Sequence, residues 1–176
     1  MMQKFIKAVA FAATKHSKQR RKDVDESPYI NHPIALADVL ANEGGIVDND
    51  VLCAAVLHDT IEDTETTESE LIDNFGNRIA SIVLEVTDDK RLAKNVRKQR
   101  QIEHASQVSH EAKLVKLADK ISNLRDILSS PPKDWEPERK QAYFEWANQV
   151  AAGLKGTNPR LERIFAELIS RSNEIR

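Results

Sequence analysis

Apolar residues recur at helical spacing along almost the whole chain, and no alternating strand pattern persists for long. One apolar stripe contains Phe5, Val9 and Ala12. A longer stripe contains Leu114, Leu117, Ile121 and Leu124. Because residues three and four positions apart lie on the same face of a helix, this pattern predicts buried helix faces. We therefore expect an all-α fold, a single helical bundle of roughly nine to ten helices.

The periodicity and the capping residues together predict helices at roughly 3–18, 33–43, 49–62, 68–75, 77–87, 95–104, 109–128, 138–152 and 158–172. Thr67 followed by Glu70 has the form of a capping box. Asn158 followed by Pro159 has the form of an N-cap and first helical residue. These signals predict where two of the helices begin.

Length and charge limit the classes of protein to consider. The 176 residues suit one domain, 1–176. Lys and Arg number 26 against 28 Asp and Glu, a net charge of -2, so the balance indicates neither a nucleic-acid nor a membrane partner. No apolar run reaches the roughly 18 to 20 residues of a membrane span. Cys53 is the single cysteine and lies in an apolar stretch, which favours a buried thiol and a reducing, cytoplasmic setting.

The run AAVLHDTIEDT concentrates four polar, ionisable residues at the end of an apolar helix: His58, Asp59, Glu62 and Asp63. Ionised groups are costly in such a place unless something pairs with them, and a bound cation is the simplest partner. If the helix continues, the i to i+4 spacing directs all four toward one side. The pattern predicts a compact acidic pocket with one imidazole.

Two further candidate ligands lie elsewhere in the chain, His32 in YINHP and Asp119 in KLADK. Two imidazoles and two carboxylates form a mixed nitrogen and oxygen set that suits Mn²⁺, Fe²⁺ or Zn²⁺. A salt bridge from Asp119 to Lys116 or Lys120 is the competing interpretation of that carboxylate. Asn123, one turn further on, could orient Asp119, contact a substrate or cap a backbone group.

Other polar and aromatic residues carry weaker signals. We expect surface positions for the remaining histidines, His16, His104 and His110. Four aromatic residues cluster late in the chain: Trp135, Tyr143, Phe144 and Trp146. We expect most of them to pack between helices, and stacking on a nucleotide base remains open for one of them. Weaker candidates for phosphate contacts are Lys90, Lys94, Arg97 and Lys113.

The ordered set H…HD…D, filled here by His32, His58, Asp59 and Asp119, resembles the signature of the HD-domain metal-dependent phosphohydrolases. The similarity extends to the stand-alone alarmone hydrolases of the metazoan SpoT homologue group over nearly the whole chain. The segments that carry it are RRKDVDESPYINHP, AAVLHDTIEDT, EVTDDK, AKLVKLADKISNLRD, YFEWANQV and GLKGTNPRLE.

The resemblance implies a hydrolase without the synthetase and regulatory domains of the larger bifunctional enzymes. It implies removal of the 3′-pyrophosphate from ppGpp, giving GDP and pyrophosphate, with one Mn²⁺ ion per chain on the four signature residues. It implies that Glu62 and Asp63 handle the attacking water. The substrate-binding positions implied in the same way are Arg21, Lys22, Asn123 and Tyr143.

Two alternatives remain open at the level of sequence. The same site could remove the 2′-phosphate of NADPH, since both substrates present a purine, a ribose and a ribose phosphate. The chain could also be a non-catalytic, metal-stabilised sensor of a nucleotide. A sensor would have no need of Glu62 and Asp63 beside the metal, which favours the hydrolase.

Overall fold

The computed structural model describes residues 2–175, and within them the chain forms ten α-helices and no β-strand. The helices are α1 (Met2–Lys15), α2 (Asn31–Asp38), α3 (Asn49–Leu57), α4 (Thr60–Asp63), α5 (Glu68–Phe75), α6 (Asn77–Val86), α7 (Lys94–His104), α8 (His110–Ser129), α9 (Pro137–Ala152) and α10 (Pro159–Ser170). The predicted all-α class and helix number are confirmed.

Helix α3 lies at the centre of the bundle and packs against α1, α2, α6 and α8. Its residues from Cys53 to Leu57 are fully buried and include two alanines, Ala54 and Ala55, whose small side chains allow close approach of neighbouring helices. Burial raises the pKa of the Cys53 thiol to about 11. The expected burial of this cysteine is confirmed.

The prediction of one continuous helix over 49–62 is wrong, because the helix is interrupted at His58 and Asp59. Asp59 has φ -98° and ψ 0°, outside the α-helical region, and α4 begins at the next residue. The Thr60 hydroxyl donates to the Leu57 carbonyl at 2.7 Å, which satisfies one carbonyl that the interrupted helix leaves free. The interruption places the two ligand candidates at the turn between the helices.

Several predicted helix boundaries shift. The first helix ends at Lys15 rather than at 18, and the predicted helix 33–43 is α2 followed by a π-helical turn, Val39–Glu43. Asn158 caps α10 as predicted, accepting from the backbone amides of two following residues. Only half of the capping box forms: the Thr67 hydroxyl accepts from the Glu70 amide, whereas the Glu70 carboxylate pairs with Lys15.

Helix α8 is the 20-residue element that carries the second half of the candidate site. Leu117, Ile121 and Leu124 lie in the core and fix its orientation. Asp119 and Asn123, one turn apart, lie together on its face toward α2. Across residues 2–175, no helix combines the length and apolar character needed to span a membrane.

Candidate active site

The four signature residues come together from three segments. His32 is the second residue of α2, His58 and Asp59 form the turn after α3, and Asp119 lies in the middle of α8. The His32 and His58 rings lie 5.4 Å apart between centroids. Possible ligand atoms of His32, His58 and Asp59 all lie within 4.8 Å of one another. The predicted convergence of distant segments is therefore present.

The His58 ring has its two nitrogens in different surroundings. Nδ1 donates to the backbone carbonyl of Ala55 at 2.8 Å. Nε2 lies 2.9 Å from Oδ2 of Asp59, but it is buried and, within the described part of the chain, has no hydrogen-bond partner of acceptable geometry. In the neutral ring, the Nε2 lone pair would therefore lie close to a carboxylate oxygen, and a cation between the two relieves that repulsion. This arrangement fits a metal ligand.

Without a metal, a proton takes the place of that cation. Burial lowers the pKa of His58, but the adjacent Asp59 carboxylate outweighs it and raises the pKa to about 9. Burial acts to raise the pKa of Asp59, whereas His58 holds it well below its ordinary value. The turn thus keeps a carboxylate ionised inside the protein, ready for a cation.

Asp119 is held by three neighbours. Its Oδ1 lies 3.1 Å from Nε2 of His32 and accepts from the Asn123 amide at 2.8 Å. Its Oδ2 accepts from the Lys120 ammonium at 2.8 Å. Burial acts to raise the pKa of Asp119, and Lys120 and His32 together hold it well below its ordinary value. The salt bridge with Lys120 and a hydrogen bond from Asn123 to Asp119 are thus both present.

Two acids lie beside this cluster as predicted, since possible ligand atoms of Asp59, Glu62 and Asp63 lie within 4.8 Å of one another. Burial, together with the neighbouring carboxylates, raises the pKa of Glu62 to about 7. Its Oε1 accepts from the backbone amide of Asp88 at 3.0 Å. Asp63 pairs with the Lys90 ammonium. Glu62 can therefore exchange a proton near neutral pH, a property that a general base requires.

The site opens into a cleft with two adjoining parts that share lining residues, of about 620 Å³ and about 390 Å³. Arg21, Asn123 and Tyr143 line both parts, and Lys22 lines the larger one. The smaller part has a basic wall formed by Lys94, Arg97, Lys98, Lys120 and Arg139. Of the weaker candidates, Lys94 and Arg97 line the cleft, Lys90 pairs with Asp63, and Lys113 is not among the lining residues.

The late aromatic residues divide into two groups. Phe144 is in the core. The Tyr143 ring lies between two indoles, 5.9 Å from Trp135 and 5.2 Å from Trp146, and all three line the cleft. An aromatic surface is thus available to a base.

The prediction that His16 lies on the surface is wrong, because its side chain is buried against Tyr29, whereas His104 and His110 are exposed as expected. Sequence reasoning also missed Tyr29, whose hydroxyl donates to Asp59, and Gln19, whose amide donates to Asp63 at 3.3 Å. The position of Tyr29, three residues before His32, was the available signal.

The HD-domain sequence model matches residues 8–154, most of the chain. The chain belongs to the HD-domain family. Like other HD domains, it has a mixed His and Asp cluster that fits a divalent metal ion, and His32, His58, Asp59 and Asp119 are the residues that could hold it.

Curated HD-domain relatives cover nearly the whole chain. It is 53% identical to the guanosine-3′,5′-bis(diphosphate) 3′-pyrophosphohydrolase MESH1 of Danio rerio over 163 residues, which is 93% of this chain and 91% of that protein. Identity to the enzyme of the same name from Homo sapiens is also 53%, with the same coverage.

A solved structure of a metazoan orthologue of SpoT, described as hydrolysing ppGpp, matches with a TM-score of 0.93 and 46% identity, covering 96% of this chain and 94% of that one.

Proposed function

We propose that this HD-domain protein is a Mn²⁺-dependent hydrolase that removes the 3′-pyrophosphate of ppGpp, giving GDP and pyrophosphate. The observation that carries the proposal is the joint presence of a mixed His and Asp cluster and two further acids in a chain 53% identical to curated ppGpp hydrolases. We further propose that residues 1–176 form one hydrolase domain. The buried, charged cluster would serve no purpose in a simple helical scaffold.

His32, His58, Asp59 and Asp119 are the residues that would hold one Mn²⁺ ion. Their two nitrogen and two oxygen donors suit Mn²⁺, and the four residues leave coordination positions for water and substrate. A metal ion in this position supplies a water of lowered pKa and neutralises phosphate charge. Lys120 and Asn123 hold Asp119, and the Ala55 carbonyl holds His58, so the donors are positioned before a ligand arrives.

Glu62 is the proposed general base. Its pKa near 7 allows it to accept a proton from water at neutral pH and return it afterward. Asp63 orients the same water, and its carboxylate pairs with the Lys90 ammonium. The hydrogen bond from the Asp88 amide fixes the Glu62 carboxylate toward the cluster.

The cleft has the charge and size for a nucleotide with two diphosphate groups. The basic wall defined above lines the smaller part, next to the metal ligands, and complements the diphosphate groups. Arg21, Lys22, Asn123 and Tyr143 line the larger part and contact the nucleoside in this proposal. Arg21 is already held in place by Asp126, which reduces the ordering that substrate binding requires.

Product analysis by ion-exchange chromatography tests the proposal. Wild-type protein with Mn²⁺ should convert ppGpp to GDP and pyrophosphate, and a chelator should stop the reaction. Asp119→Asn, which removes a ligand charge, should be inactive, whereas the exposed His104→Gln should match the wild type. NADPH is assayed in parallel for release of NADH. Intact ppGpp after incubation with metal-loaded protein would contradict the proposal.

A further inference from the structure

A buried histidine, His16, contacts two residues that hydrogen-bond to acids of the site, one a proposed metal ligand and the other a proposed water-handling acid. It follows the end of α1, and its side chain is only 2% exposed. Its Nδ1 lies 2.7 Å from the Gln19 side-chain oxygen. Its ring packs against that of Tyr29 with centroids 4.8 Å apart.

Each of these two neighbours contacts a different acid of the site. The Gln19 amide nitrogen donates to Oδ2 of Asp63 at 3.3 Å, and the Tyr29 hydroxyl donates to Oδ2 of Asp59. Backbone hydrogen bonds also join the three residues. The backbone N–H of Gln19 donates to the His16 carbonyl at 2.9 Å, and the backbone N–H of Tyr29 donates to the Gln19 carbonyl at 3.1 Å. One compact segment therefore supports a ligand and a water-handling acid at once.

The Asp63 carboxylate fixes the donor and the acceptor in each hydrogen bond between it and His16. The Asp63 carboxylate pairs with Lys90 and can only accept, so Gln19 must present its NH₂ group to Asp63. The Gln19 oxygen then lies toward His16 and must accept, which requires a hydrogen on Nδ1 of the His16 ring. Nε2 of the same ring is buried and has no hydrogen-bond partner among residues 2–175, so Nδ1 makes the one hydrogen bond of the ring within that range.

We propose that His16 is a positioning residue that orients Asp63 through Gln19 by an Nδ1–H hydrogen bond and Asp59 through the packed Tyr29 ring. This inference rests on the proposed function for its kinetic consequences, but not for its structural ones. The Gln19 branch acts on the acid that orients water, so it affects kcat. The Tyr29 branch acts on a metal ligand, so it affects Mn²⁺ affinity.

Two substitutions separate the branches at His16 itself. His16→Phe keeps a ring against Tyr29 and removes the donor to Gln19. His16→Asn keeps a donor at the position of Nδ1 and removes the ring. We expect His16→Phe to lower kcat about tenfold, with KM for ppGpp and the Kd for Mn²⁺ within twofold. We expect His16→Asn to weaken Mn²⁺ binding about tenfold and to retain more of kcat than His16→Phe does.

A double variant at His16 and Gln19 distinguishes loss of the hydrogen bond between them from a general packing defect. Gln19→Leu should lower kcat as His16→Phe does, and the double variant should be no worse than either single one, because both remove the same connection. His110→Phe, at an exposed histidine outside the site, is the matched control and should behave as the wild type. If the losses of kcat in the two single variants multiply in the double variant, the proposed connection from His16 through Gln19 to Asp63 is wrong.

The ring tautomer gives a readout that needs no activity. Nitrogen-15 NMR of the full chain with diamagnetic Zn²⁺ should show His16 with its hydrogen on Nδ1, and Gln19→Leu should abolish or shift that signal. A hydrogen on Nε2 alone would overturn the proposal, even if the His16 variants fail to fold. If wild-type protein leaves ppGpp intact, the proposed function fails, and the tautomer and Mn²⁺ affinities still decide the role of His16.

Discussion

Nδ1 of His58 donates to the Ala55 carbonyl at 2.8 Å, which leaves Nε2 of the same ring directed at Asp59. His58 directly follows the end of α3 at Leu57, and its side chain contacts the carbonyl three residues earlier in that helix. A single backbone oxygen thereby selects which ring nitrogen is available to a metal ion.

Mn²⁺ should stabilise the folded protein, because its ligands come from three segments that are separate in the unfolded chain. At 100 times Kd, the gain is about 2.7 kcal/mol, or about 5–10 °C in Tm for a chain of this size. Differential scanning fluorimetry with Mn²⁺ and with a chelator measures this shift. His58→Gln should lose most of it and His104→Gln should keep it; equal shifts in both variants would exclude His58 as a ligand.

Glu62→Gln should reduce turnover of ppGpp by about 10²–10⁴-fold, the range for loss of a general base. The amide keeps the size of the side chain but cannot accept the proton. Isothermal titration calorimetry should show that Mn²⁺ still binds. The exposed Glu65→Gln is the control and should turn over ppGpp normally. A normal kcat in Glu62→Gln would mean that another residue accepts the proton from the attacking water.

The same Glu62→Gln substitution should stabilise the metal-free protein at high pH. Burial raises the Glu62 pKa from 4.5 to about 7 in the folded state, so between these values the unfolded chain releases its proton first. Glu62 therefore lowers stability as pH rises through this window, by up to about 3 kcal/mol. Urea unfolding with a chelator at pH 5 and pH 8 measures the effect. The advantage of the variant should be larger at pH 8; an advantage independent of pH would contradict the raised pKa.

Lys120→Met should destabilise the metal-free protein by about 3–5 kcal/mol, because it leaves the largely buried Asp119 carboxylate without the Lys120 ammonium. Chemical denaturation gives the free energy of unfolding. Saturating Mn²⁺ should recover part of the loss, since the ion supplies the missing positive charge. Lys155→Met, at an exposed lysine, should be close to wild type. A loss that Mn²⁺ does not reduce would indicate that Lys120 serves packing alone.

Most of the helices could be predicted from local signals. Apolar spacing of 3.6 residues identified α8, and Asn158 before Pro159 marked the start of α10. These features depend on residues close together in the chain. The break after Leu57 could not be predicted in this way, because the run continues with an intact helical pattern and the alternative hydrogen bonds at His58 and Thr60 decide it.

The sequence by itself determined the all-α class, and it identified the chemical types that the site contains, because periodicity and ligand chemistry depend on residue identity. Only the tertiary structure decided which polar residues support that site. Gln19 and the buried His16 lie among basic neighbours in sequence, and Tyr29 lies in the segment SPYIN. The roles of Gln19 and Tyr29 follow from contacts across more than 25 residues, Tyr29 with Asp59 and Gln19 with Asp63. Such contacts depend on how the helices pack, which no local pattern records.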